Sequence, residues 1–269
     1  PYFMRGLVAL AFALDDEELI AEAKQWVDWS IGSQRADGYF GPANNTDWWP
    51  RMPVLMAIRD YYEATLARGQ QDDRVLPFME KYFRYQQATL PTRPLSSWAQ
   101  ARGGDNIDSV FWLYNRLYDA QDPAATAWLL DLAVLLKNQT QNWTNDFNNT
   151  TVRYHVVNTT QGMKTPPVYY QLDQSPEYRT ALRNGILNMG LHHGRIDGLP
   201  NSDEAARGNR STSGTETCSV AGGPPSAEIA AQIYEAPRVA DRLEQLAYTS
   251  LLAASTPGWS GYLSDYLQK

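Results

Sequence analysis

The stretch Met4-Arg5-Gly6-Leu7-Val8-Ala9-Leu10-Ala11-Phe12-Ala13-Leu14-Asp15-Asp16-Glu17-Glu18-Leu19-Ile20-Ala21-Glu22-Ala23-Lys24-Gln25-Trp26-Val27-Asp28-Trp29-Ser30-Ile31 decides the fold. Met4 to Leu14 is apolar almost throughout. Asp15 to Glu18 then break the run with a helix N-cap and an acidic first turn, where the partial positive charge of a helix start favours carboxylates. Beyond it Leu19, Ala23, Trp26, Val27 and Ile31 recur at three- and four-residue spacing, as one face of an amphipathic helix does. The same punctuation returns near Asp72, Asp122, Gln174 and Pro237, each break lying between two helical runs, at intervals of about 57, 50, 52 and 63 residues. That length suits one helical hairpin plus a loop. The regularity predicts an all-α fold of about five hairpins, an (α/α)6 toroid incomplete in this chain, with residues 1–269 as one partial domain. Longer loops over Gly38 to Pro50, Leu95 to Asp108, Asn145 to Lys164 and His192 to Cys218 carry most of the Gly, Asn, His and Trp. In a ring of hairpins such loops share one end, which predicts a single cleft there. Val152 to Val157 and Tyr262 to Tyr266 are the best, and weak, strand candidates.

Bulk properties narrow the function. The chain has 269 residues and a net charge of −7, which argues against a nucleic-acid partner because phosphate binding needs a positive surface. No apolar run is long enough for a membrane span. No P-loop, dinucleotide fingerprint or serine nucleophile elbow is present. Pro1 is not a translation start, so the chain is expected to be processed or part of a longer polypeptide. Nine Trp and sixteen Tyr outnumber seven Phe, a balance that suits a sugar-binding cleft as well as a large core with amphipathic edges. A single cysteine excludes an internal disulfide, and N-x-Ser/Thr sequons such as those at Asn142 and Asn209 point to a secreted or periplasmic protein, glycosylated if the source is eukaryotic. A homo-oligomer is compatible with all of this.

Chemistry-bearing residues concentrate in the loops. His192 to Cys218 reads as loop because glycines and prolines break it, and it holds His193, Asp203, Glu204, Glu216 and Cys218. Glu204 and Glu216 offer the carboxylate pair that glycoside hydrolysis commonly uses. Glu216 and Cys218 lie close enough in sequence to reach one zinc ion, which accepts thiolate and carboxylate donors but needs further ligands. His155 and Asn158 sit in a polar, Thr-rich segment, where the histidine is as fit for function as for structure. Trp48 and Trp49 open a helix beside Pro50 and are fit either to stack on a sugar or to pack in the core. Asp105 and Asn106 stand at a helix start, where capping competes with recognition of substrate hydroxyls. Gln34 to Gly41 closes a helix, with Gly38 suited to a left-handed cap.

Taken together, Trp48-Trp49-Pro50-Arg51-Met52, Gly103-Gly104-Asp105-Asn106, the His155-to-Lys164 segment, His193-Gly194, Asp203-Glu204, Gly214-Thr215-Glu216-Thr217-Cys218 and Ala240-Asp241-Arg242-Leu243-Glu244 resemble glycoside hydrolase family 127, the β-L-arabinofuranosidase-like enzymes. The resemblance spans nearly the whole chain in order. It implies a catalytic (α/α)6 barrel, followed in the family by β-rich domains that this sequence does not include. It implies a retaining glycosidase acting on plant or microbial glycans, with Glu204 as general acid/base, Glu216 and Cys218 as zinc ligands and His155 against the sugar. The family's nucleophile is a cysteine in a later Cys-Cys pair that also binds zinc, and no such pair follows Cys218 here. A second departure is Gly222-Gly223-Pro224-Pro225, expected to interrupt the helix after Cys218, because an interior proline costs about 3 kcal/mol or more.

Two other readings fit the residues. An α/α-barrel uronyl hydrolase or polysaccharide lyase would use Asp105, Asp108 and His155 without metal. A non-catalytic glycan-binding protein would use the tryptophans alone.

Overall fold

The computed structural model describes residues 1–149, 155–195, 198–201, 204–206, 208–210, 213–254 and 265–266. The chain divides into two compact units, 1–140 and 141–269.

The first unit holds α1 (Tyr2–Leu14), α2 (Glu17–Gly32), α3 (Arg51–Ala67), α4 (Val75–Thr89), α5 (Ser97–Ala101), α6 (Gly103–Leu117) and α7 (Ala127–Gln139). The breaks read from the sequence fall between these helices. Asp15 ends α1 in the left-handed conformation, at φ 52°. Asp16 then caps α2, its Oδ1 accepting from the backbone N–H of Glu18 and Leu19 at 3.0 and 3.1 Å. Such a cap contributes about 1 kcal/mol. At the next break the Arg74 guanidinium donates to Asp72 and to Asp28 of α2, both at 2.6 Å, and fastens the turn before α4 to the preceding hairpin. The core is built from helix faces: Met52, Leu55, Met56 and Ile58 of α3, Phe78, Met79, Tyr82 and Phe83 of α4, and Ile107, Val110 and Leu113 of α6 are buried.

Gly38 is not the cap of α2, which ends at Gly32 with Ser33 behind it. It lies in the turn that follows, at φ +100°, where a Cβ would stand 2.4 Å from the Lys81 carbonyl oxygen.

The second unit holds α8 (Trp143–Asn148), α9 (Val156–Gly162), α10 (Thr165–Asp173), α11 (Pro176–His193), α12 (Thr217–Tyr234) and α13 (Pro237–Leu246). Two short strands, β1 (Thr215–Glu216) and β2 (Asp265–Tyr266), pair antiparallel with Thr215 opposite Tyr266. The weak strand signal at Tyr262 to Tyr266 is therefore met at its last two residues, and residues 262–264 lie outside the described ones. Of Val152 to Val157 only 155–157 are described, and Val156 and Val157 are helical. Their β-branched run is a poor helix former, but burial overrides propensity: Val156, Val157, Thr159 and Thr160 are all buried. The threonine hydroxyls donate back to the helix, Thr159 to the His155 carbonyl at 3.2 Å and Thr160 to that of Val157 at 3.0 Å.

Two expectations fail here. The loop from His192 begins two residues too early, because α11 runs through His193. The Gly-Gly-Pro-Pro segment does not interrupt the helix after Cys218: α12 continues from Thr217 to Tyr234 with Pro224 and Pro225 inside it. The prolines bring no N–H for the carbonyls four residues earlier. Packing compensates. Ser226 Oγ donates to the Gly222 carbonyl at 3.0 Å, and α9 lies so close that a Cβ on Gly222 would stand 2.9 Å from Gln161 Cγ. The absence of a side chain at 222 lets the proline-bearing helix seat against its neighbour.

Candidate active site

The residues that converge lie in the second unit. His155 precedes α9 and caps it, its Nδ1 accepting from the Asn158 backbone N–H at 3.5 Å. With Nδ1 an acceptor, the proton of the neutral ring is on Nε2. Nε2 lies 3.0 Å from Glu204 Oε2 and 3.8 Å from Glu216 Oε2. Glu204 arrives by a separate backbone device: Ala205 forms an antiparallel bridge with His155, and the Val156 N–H donates to the Glu204 carbonyl at 2.8 Å. Glu216 ends β1 and is the N-cap residue of α12. The His155 and Glu216 side chains are mostly buried, at 23% and 21% exposure, whereas Glu204 is 72% exposed and faces outward. One imidazole nitrogen and two carboxylate oxygens thus lie within 4.8 Å of one another, a set able to hold a proton between carboxylates or to bind a metal ion.

The loop between α11 and β1 is braced by its own polar groups. His193 is buried, its Nδ1 accepts from the Gly208 N–H at 2.8 Å, and its carbonyl accepts from the Asn201 N–H at 2.5 Å. Asn201 Nδ2 donates to the carbonyls of Gly208 and Arg210, at 3.2 and 2.6 Å. Arg195 donates to the Ser213 carbonyl at 3.1 Å. Sequence reasoning missed Asn201 and Arg195, because a lone Asn and Arg in a polar loop carry no pattern. It singled out His193 for substrate, and the structure uses its Nδ1 to hold the loop that presents Glu204.

The other expected site residues are placed as follows. Asp203 lies outside the described residues. Asn158 contributes its backbone N–H to the His155 cap. Cys218 is the second residue of α12, exposed, and is not among the three ligand groups that come together. In the first unit Trp48 is 2% exposed, donates from Nε1 to the Arg93 carbonyl at 2.9 Å and has the Arg93 guanidinium 4.0 Å above its ring. It is a core residue there. Trp49 is half-buried beside Trp98 and Tyr2, with ring centroids 6.1 and 6.0 Å away. Asp105 is buried in the first turn of α6, with no side-chain cap bond at that helix start. Asn106 is fully buried and donates to Gln86 Oε1 at 2.8 Å.

Helical hairpins that bring His155, Glu204 and Glu216 together define an α-helical protein with a carboxylate-rich candidate site. The comparisons with known proteins agree. Residues 2–262 match the family model described as Beta-L-arabinofuranosidase, GH127 catalytic domain, and the chain belongs to that family. Among solved structures it is similar to one titled "Glycoside hydrolase", with a TM-score of 0.74 at 14% identity, covering 98% of this chain and 47% of the other. It is also similar to a GH127 beta-L-arabinofuranosidase from Geobacillus stearothermophilus T6, with a TM-score of 0.69 at 15% identity, covering 98% of this chain and 48% of that one. That likeness assigns the fold to the all-α toroid class expected from the hairpin repeat. The chain spans about half the length of these two structures. No curated protein matches the sequence.

Proposed function

We propose that this chain is the catalytic domain of a retaining glycoside hydrolase of the β-L-arabinofuranosidase-like type, acting on plant or microbial glycans outside the cytoplasm. The observation that carries the reading is the meeting of Glu204, His155 and Glu216 within 4.8 Å, inside the span that matches the family. Glu204, exposed enough to meet a glycosidic oxygen and with Oε2 3.0 Å from His155 Nε2, is the general acid/base. As acid it gives its proton to the leaving oxygen, and as base it takes one from the water that releases the sugar. His155 and Asn158 border the sugar.

A zinc ion belongs to the family pattern and would hold a thiolate deprotonated. Glu216 and Cys218 would be two of its donors, but Cys218 is exposed and stands outside the converging set of His155, Glu204 and Glu216, and with a single cysteine in the sequence the residues present do not make a complete thiolate site. No step is derived through the metal. Exposed Asn142 and Asn209 are the sequon sites open to N-glycans in a eukaryotic host, and association of copies remains part of the same proposal. The lyase-like alternative is poorly served, since Asp108 is bound to Arg59 at 2.5 Å and Asp105 is 4% exposed.

The test is Glu204→Gln in the full-length protein. Hydrolysis of unactivated β-L-arabinofuranosides is expected to be lost with folding intact, and azide is expected to restore turnover of an aryl glycoside while yielding a glycosyl azide of retained configuration. Wild-type hydrolysis by the variant would overturn the assignment. Metal analysis is expected to give near one zinc per chain, and its absence from an active enzyme would remove zinc from the reading.

A further inference from the structure

We propose that His155 is the positioning residue for Glu204, fixing which carboxylate oxygen is left to exchange the proton. The inference rests on the reading of Glu204 as acid/base given above.

Three observations carry it. The Glu204 side chain is 72% exposed, so packing does not select its rotamer. Its main chain, by contrast, is tied to the residue that contacts its side chain: the Val156 N–H donates to the Glu204 carbonyl at 2.8 Å, and His155 and Ala205 are bridge partners. The third is the ring's orientation. Nδ1 is engaged as an acceptor by the Asn158 N–H, which puts the proton of the neutral imidazole on Nε2 and aims it at Glu204 Oε2, 3.0 Å away. Oε2 is therefore held as an acceptor in both protonation states of the carboxyl group, and Oε1 is left to carry and deliver the proton.

The two ring nitrogens do separate jobs, so two substitutions separate them. Asparagine keeps an acceptor near the Nδ1 position and is a preferred N-cap residue, but it cannot reach Glu204. Glutamine places an amide N–H near the Nε2 position and reaches Glu204 while giving a poorer cap. In the full-length enzyme His155→Asn is expected to fold as wild type and to lose kcat on the order of tenfold to a hundredfold, the scale of misorienting a reacting group. His155→Gln is expected to recover most of that kcat despite a lower thermal midpoint.

The reverse order, Asn active and Gln impaired, would reduce His155 to a helix cap and overturn the proposal. Equal loss in both variants together with loss of bound zinc would make it a metal ligand and also overturn it. Glu204→Gln runs beside them. If that variant is inactive while His155→Asn keeps wild-type kcat, the positioning inference fails alone; if Glu204→Gln is fully active, the acid/base reading beneath it fails.

Discussion

Adjacent glycines in α12 give the sharpest test of how this site is held. A Cβ on Gly222 would stand 2.9 Å from Gln161 Cγ of α9, whereas one on Gly223 would meet only Leu246 Cδ1 at 3.4 Å and Leu199 Cδ2 at 3.9 Å. Gly223, Leu199 and Leu246 also line a small apolar cavity of about 30 Å³ that a methyl group would partly fill. Replacing a helix-interior glycine by alanine contributes roughly 1 kcal/mol through backbone propensity, but Gly223 precedes Pro224, whose ring opposes a Cβ on a helical residue before it, so that position gains less. What remains is packing. Carbon atoms prefer separations of about 3.5–4.0 Å, so Gly222→Ala must displace Gln161 by roughly 0.6–1 Å. Gln161 is 92% buried and has little room to move, at a cost of about 1–3 kcal/mol. Net, Gly222→Ala is expected to lose about 0–2 kcal/mol and Gly223→Ala to change by less than about 1 kcal/mol. Urea midpoints and thermal melts should separate them by several degrees, at about 2–4 °C per kcal/mol for a chain of this size class. Turnover should fall in Gly222→Ala alone, since the crowded contact joins the helices that begin at His155 and Glu216. Equal stability of the two variants, or the reverse order, would refute the seating of α12 on α9.

Two further outcomes follow from the first unit. The hydrogen bond from Arg74 holds the Asp72 carboxyl below its ordinary value, against the opposing effect of burial. A depressed carboxyl contributes stability that is complete above its unfolded pKa of 3.8 and is lost as pH falls through the lower folded value, so Arg74→Met is expected to flatten the acid limb of a stability profile below about pH 4. With Arg74 about half exposed, the loss at neutral pH is expected to be about 1 kcal/mol or less, and an unchanged acid limb in denaturant titrations would remove the pair from the account. Trp48→Ala is expected to lose about 3–5 kcal/mol, as for a buried aromatic. A near-neutral denaturation midpoint with lost sugar affinity would instead restore Trp48 to the substrate.

The hairpin repeat was legible because its signals are local. Asp16 caps α2 through N–H groups two and three residues on, and Gln174 closes α10 in a left-handed conformation that a polar break residue advertises. Helix α9 was not legible, nor was the passage of α12 through Pro224 and Pro225, because both depend on contacts at long separation. Val156 and Val157 are helical through burial, and the prolines are accommodated where Gly222 meets Gln161, 61 residues earlier in the chain. The site divides in the same way. Glu204 and Glu216 stand out by type and spacing, and His155 by its polar setting. That His155 would contact the Glu204 side chain, 49 positions away, follows from a backbone bridge that leaves no mark in composition. Nor does composition mark the bracing of the loop by the His193 ring, or decide for Trp48 between sugar stacking and the packing under Arg93 that the structure shows.

Three separate devices therefore determine one geometry. A helix cap orients the His155 ring, an antiparallel bridge delivers Glu204 to it, and the strand-to-helix junction at Thr215–Thr217 presents Glu216. None is a strong interaction: an N-cap contributes about 1 kcal/mol and a single backbone hydrogen bond about the same. Their weakness matters because a reacting group displaced by about 1 Å can lose a hundredfold in rate. Each device can fail without unfolding the helices around it. Substitutions that loosen Asn201 or Arg195 should therefore act on kcat through the loop that carries Glu204. Substitutions on the α9–α12 seam should act through the separation of His155 and Glu216.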